Sequence, residues 1–182
     1  MRVFKLLSAL IDYPSDELLG ELRRAVAEAG VARVLVDELD PGQIFSVEER
    51  QVIAHFVEKL LAEASTAAQA RYVQTFDLTA EHSLHLTHHI FGEEKTRGPA
   101  LIDLTEYLKG YGFAHDEKEL PDYLPLLLEF VSELREDEAR VFLGDAGKVL
   151  KVIADNLEKS GSDYAPLIRI IDNHGSLVKL AA

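Results

Sequence analysis

The 182 residues carry 32 acids against 19 bases, a formal net charge of −13, and no cysteine. That balance argues against nucleic acid and against an anionic membrane surface, both of which call for clustered Lys and Arg. The missing cysteines exclude disulfides, zinc–thiolate sites and thiol catalysis. No stretch approaches 18 apolar residues, so no span is predicted. Asp12, Pro14 and Asp16 interrupt the N-terminal apolar run too early for a signal peptide. One domain, residues 1–182, is expected, and a cysteine-free chain is compatible with the cytoplasm.

In chain order the pattern is helical nearly throughout. Residues 2–11 form a short amphipathic stretch closed by Tyr13-Pro14. Ser15 reads as an N-cap, followed by Asp16 and Glu17 in the first turn and a stripe of Leu18, Leu19, Leu22 and Val26, with Gly30 as the stop. Val31, Val34, Leu35, Val36 and Leu39 suit helix or strand equally. Asp40-Pro41-Gly42 is a turn. Ser46-Val47-Glu48-Glu49 is a capping box, and Ile53, Phe56, Val57, Leu60 and Leu61 continue it at helical spacing. Residues 65–76 and 81–91 are read as two more helices.

Gly98-Pro99 opens a helix with Leu101, Leu104, Leu108 and Tyr111 on one face. Residues 113–119 are a polar loop. From Pro121 an apolar helix is expected, carrying Leu120, Tyr123, Leu124, Leu127, Leu128, Val131 and Leu134. A long helix follows from about Asp137 to Lys159. Gly144 and Gly147 cost it roughly 1 kcal/mol each, which points to a close approach by a neighbour. A last helix through Leu167, Ile168 and Ile171 is expected to be capped by Asn173-His174-Gly175. The fold class is all-α, a bundle of about seven to nine helices.

Catalytic signals are weak. His82, His85 and His89 would share a face of one helix, with Glu81, Glu93 and Glu94 nearby. Zinc or iron is the sharp reading and a solvated His cluster the bland one, because the His-Glu-x-x-His arrangement is missing. Ser83 lacks a nucleophile elbow, and Gly110-Tyr111-Gly112 is too short for a phosphate loop. No catalytic residue, metal ligand or cofactor is assigned. Tyr72, Phe76, Asp77, Tyr107, Tyr111 and Tyr123 are read in two ways: a core with tyrosine hydroxyls at its rim, or a groove lined by aromatics and edged by acids. Such a groove would accept a basic amphipathic helix.

Several motifs carry a resemblance. Tyr72-Val73-Gln74-Thr75-Phe76-Asp77, Ser83-Leu84-His85-Leu86, His89, Gly92, Arg97-Gly98-Pro99-Ala100 and Glu119-Leu120-Pro121-Asp122-Tyr123-Leu124-Pro125 resemble the NarJ type of chaperone. Leu7-Ser8-Ala9-Leu10-Ile11-Asp12-Tyr13-Pro14 fits it as well. These are the assembly proteins, or delta subunits, of respiratory nitrate reductase, within the TorD-like group. The resemblance implies a monomeric, TorD-like helical fold without catalysis and a cytoplasmic location. It implies a partner, the N-terminal segment of the apo catalytic subunit, held competent for insertion of the molybdenum cofactor. A sister molybdoenzyme of selenate, chlorate or hydrocarbon-oxidising type is the alternative client.

The resemblance assigns a binding role to Leu120, Pro121, Asp122, Tyr123 and Pro125. Tyr72, Phe76, Asp77, His89, Arg97 and Tyr107 complete the candidate contact set. Lys95 and Arg97 stand where the family has a basic pair, and Leu101 replaces a common methionine.

Overall fold

The computed structural model describes residues 1–92, 95–114 and 119–176. Ten α-helices lie among them: α1 Arg2–Ile11, α2 Asp16–Ala29, α3 Ala32–Leu39, α4 Val47–Ala62, α5 Ser65–Tyr72, α6 Leu86–Phe91, α7 Arg97–Gly110, α8 Leu124–Glu133, α9 Glu136–Lys159 and α10 Ala165–Ser176. No strand occurs among the described residues. The all-α reading holds, with more and shorter helices than the seven to nine expected.

The capping chemistry works as the sequence implies. Ser15 accepts from the Leu18 amide, and Ser46 and Glu49 form their reciprocal pair. The ambiguous stretch after Gly30 is helix α3, whose Ala32, Leu35 and Val36 are buried.

Three boundaries differ from expectation. The helix predicted over 65–76 ends as α-helix at Tyr72 and continues as a π turn, Val73–Asp77. The helix predicted over 81–91 is a 3-10 turn, Ala80–His82, followed by α6. The helix predicted from Pro121 begins only at Leu124, so Leu120 and Tyr123 precede it. The last two follow from a long-range pairing. The Leu86 amide donates to the Asp122 carbonyl and the Leu124 amide to the Leu84 carbonyl, making an isolated antiparallel bridge between His85 and Tyr123. Backbone groups satisfied across the chain have no need of a helix.

The core is a continuous cluster of buried apolar side chains drawn from every long helix. α1 packs on α8, and α9 packs on α10 as a long antiparallel hairpin. The close approach of α9 and α10 is made at Gly175 of α10, which faces the backbone of Leu143 and Gly144. Asn173-His174-Gly175 therefore does not cap α10, because the helix continues through it. A Cβ on Gly175 would press into the Leu143 carbonyl, 2.7 Å from its carbon. Backbone cannot rotate away as a side chain can. Gly175→Ala is expected to cost about 1–3 kcal/mol despite alanine's better helix propensity, read as a lowered urea midpoint with unchanged m-value.

Candidate partner-binding site

The bridge draws the two prolines and their acid into the protein beneath an exposed Leu120. Asp122 is fully buried. Its Oδ1 accepts from His85 Nδ1 at 3.1 Å. Its Oδ2 accepts from the Thr87 amide at 3.0 Å and from the Thr87 hydroxyl. The Arg97 guanidinium lies 3.5 Å from Oδ2 and donates through Nε to the Thr87 hydroxyl at 3.0 Å. Burial alone would push the carboxyl upward; the bonds from His85 and Thr87 outweigh it and hold the group below the usual carboxylate value. Asp122 is thus a satisfied internal anion. Expected as a surface contact, it is instead the tie that binds the segment 84–87 to the 120–124 corner.

Pro121 and Pro125 are buried as well. The Pro125 carbonyl accepts from Ser8 at 2.7 Å, which fastens α1 beneath the corner. Asp122 offers no surface to a partner, while Pro121 lines a second cavity with Glu119 and Leu120. Leu120 is exposed and Tyr123 is half-buried.

Beside the corner opens a cavity of about 280 Å³. Tyr72, Phe76, Asp77 and Tyr123 line it, joined by Asp12, Tyr13, Ser83, Leu84, His85 and Glu119. Its floor is a hydrogen-bond chain. The Tyr123 hydroxyl donates to Asp12 Oδ1 at 2.8 Å, and the hydroxyls of Tyr72 and Tyr123 lie 2.9 Å apart. Burial raises both phenols well above the ordinary value, and Asp12 raises each further. Both therefore stay protonated at neutral pH, as fixed donors. The walls are aromatic. Tyr13 meets Tyr72 edge-on at 5.5 Å, and His85 lies 5.2 Å from Tyr123.

The π turn places Phe76 and Asp77 in this wall, and such distortions frequently occur at functional sites. Deeper in, Phe76 and Tyr72 pack against the buried Tyr164, whose phenol burial pushes up to about 12.

The histidines do not share a helix face. His82 donates through Nδ1 to the Thr75 carbonyl at 2.9 Å, and His89 donates through Nε2 to the Ser83 carbonyl at 2.7 Å. Burial holds His89 below its ordinary pKa against the pull of that carbonyl, and His88 adds to the lowering. Each ring thus braces a turn beside the cavity. No group of three or more His, Cys, Asp or Glu suited to a metal occurs among the described residues. Glu93 and Glu94 lie outside the described residues, as does part of the 113–119 loop.

Of the remaining candidates, Arg97 sits behind Asp122 and His89 behind Ser83. Tyr107 is elsewhere: its ring stacks on Phe142 at 5.9 Å and contacts Tyr111 and Phe130. Sequence reasoning grouped it with the site because it is aromatic and on a neighbouring helix. Asp12, Tyr13 and Glu119 were missed as site residues. The signal was present in the motifs that carry the resemblance, which contain all three, and in Tyr13, a large aromatic left at a helix end between an acid and a proline.

Comparison with known proteins places the chain in a family. The nitrate reductase delta subunit family model matches residues 45–169. The chain is similar to the probable nitrate reductase molybdenum cofactor assembly chaperone NarJ of Bacillus subtilis (strain 168), at 33% identity over 92% of this chain and 85% of that protein. It is similar to the nitrate reductase molybdenum cofactor assembly chaperone NarJ of Escherichia coli (strain K12), at 30% identity over 91% of this chain and 66% of the relative. A nitrate reductase-like protein NarX of Mycobacterium tuberculosis matches at 24% identity over 97% of this chain and 24% of its own length. The chain belongs to the nitrate reductase delta subunit family.

Proposed function

We propose that this protein is an assembly chaperone of respiratory nitrate reductase, acting as a cytoplasmic monomer and catalysing no reaction. It binds the N-terminal segment of the apo catalytic subunit and keeps that subunit competent for insertion of the molybdenum cofactor. The observation that carries the reading is the likeness, over 92% of this chain, to a relative named for that role. The aromatic cavity edged by Asp12, Asp77 and Glu119 supports it, as does the net charge of −13, because both favour a basic, helix-forming partner. Among the described residues no helix is long and apolar enough to cross a membrane.

Calorimetry with a synthetic peptide carrying the catalytic subunit's N-terminal segment tests the reading. Binding at micromolar affinity or tighter is expected in 0.1 M salt, where the Debye length is about 10 Å. The affinity should fall as salt approaches 1 M, where that length is about 3 Å. No heat of binding at low salt, with the peptide shown to be soluble, contradicts the proposal.

A further inference from the structure

The cavity beside the 120–124 corner is chemically narrower than a general peptide groove. We propose that it is a seat for one guanidinium side chain of the partner, an arginine lowered into the cup while the rest of the segment lies across its mouth. This rests on the reading above for the identity of the partner, and on the cavity alone for the chemistry.

Three features point to a planar cation. The first is the walls. The rings of Tyr13, Tyr72, Tyr123 and His85 surround the space, and aromatic faces attract cations, guanidinium most readily because it can also stack. Tyr72 is only 3% exposed, so its ring belongs to a built floor and not to a mobile surface.

The second is the charge. Asp12 uses Oδ1 for both of its donors, the Tyr123 hydroxyl and the Tyr13 amide at 2.7 Å. Its Oδ2 has no protein partner among the described residues. The Tyr123 bond fixes the carboxylate with that second oxygen left over, which suits a guanidinium donor. Asp77 and Glu119 make no ion pair among the described residues, and no Lys or Arg lines the cup. An anion or an apolar head would enter against three carboxylates; a cation enters with them.

The third is size. About 280 Å³ holds a single side-chain head with water around it. It is too small for a helix, which is about 10–12 Å across with its side chains. The body of the partner therefore stays outside. There it meets Leu78, Tyr13 and Leu120, which are 69%, 43% and 42% exposed and stand at the chain positions of the lining residues or next to them. An arginine with apolar neighbours three or four places away on one helix face matches that layout.

The test uses the intact protein and small probes, so it does not depend on the client. N-acetylarginine amide, its lysine counterpart and the neutral citrulline isostere are titrated while the Tyr ring and His85 resonances are followed by NMR. The expected result is saturable shifts at Tyr13, Tyr72, Tyr123 and His85 with the arginine probe, with citrulline weaker by about tenfold or more and lysine between them. The double variant Asp77→Asn with Glu119→Gln, both exposed positions, should weaken the arginine probe by about tenfold while leaving thermal unfolding unchanged. Equal affinity for arginine and citrulline probes overturns the seat, as do shifts confined to other surfaces or no response up to roughly 100 mM probe. The two proposals fail separately. An arginine probe that binds beside a client peptide that does not keeps the seat and discards the client. A client peptide that binds while the cup stays silent does the reverse.

Discussion

Replacing Asp122 with alanine should destabilise the fold by on the order of 3–5 kcal/mol, because it removes one partner of a buried ionic cluster and strands the others. The fully buried carboxylate satisfies His85, the Thr87 amide and hydroxyl, and the Arg97 guanidinium. Without it, Arg97 and His85 face a site that water enters only at a cost in packing. Total stability of a domain is about 5–15 kcal/mol, so this loss is a large share and should appear as a greatly lowered urea midpoint.

The same group sets an acid limb. Its folded pKa lies below the unfolded value, so its contribution is fully present above about pH 3.9 and is lost as the pH falls through the folded value. Asp122→Asn removes that titration. Below about pH 4 the gap between the wild type and Asp122→Asn should shrink with falling pH. A gap that is the same at pH 7 and at the acid limit would show that the charge of Asp122 is not what holds the corner.

Phe130→Ala is expected to cost about 3–5 kcal/mol by cavity formation. Phe130 is 1% exposed and is the hub of a second aromatic cluster. Its ring meets Phe142 at 5.2 Å, Tyr111 at 5.4 Å, Phe113 at 5.4 Å and Tyr107 at 6.1 Å. These rings converge from α7, α8, α9 and the turn after α7, so removing the hub leaves all of them short of contacts. The variant also separates packing from recognition. At a temperature where it remains folded, it should bind the client peptide with the affinity of the wild type. A weakened affinity in the folded variant would move Tyr107 and its neighbours back into the contact surface.

The contrast between these two clusters shows what the sequence could convey. Ser15, Ser46 and Glu49 act on amides three residues away or nearer, so α2 and α4 are legible from local spacing. The corner is not local. Its shape depends on backbone bonds from Leu86 to Asp122 and from Leu124 to Leu84, across more than thirty residues of chain. Read alone, Pro121-Asp122-Tyr123 looks like a helix start, and Asp122 looks like a surface acid. Tyr72 and Tyr123 were legible as candidates because they belong to motifs. Their hydroxyls meet across the fold, and Asp12, which accepts from Tyr123, arrives from the end of α1, more than a hundred residues away. A run of π geometry at Val73–Asp77 has no propensity signal of its own and was read as more α-helix. Gly175 shows the opposite confusion: a glycine near a helix end resembles a cap, while its actual role is to let α10 touch the backbone of α9.

The central claim is that the partner docks over the cup formed by Asp12, Tyr13, Tyr72, Asp77, His85, Glu119 and Tyr123. Hydrogen–deuterium exchange of the protein, with and without the catalytic-subunit peptide at saturation, tests this most directly. The account predicts new protection in 12–13, 72–78, 83–85 and 119–123. Protection centred on Tyr107, Tyr111 and Phe142, with those segments unchanged, would contradict it.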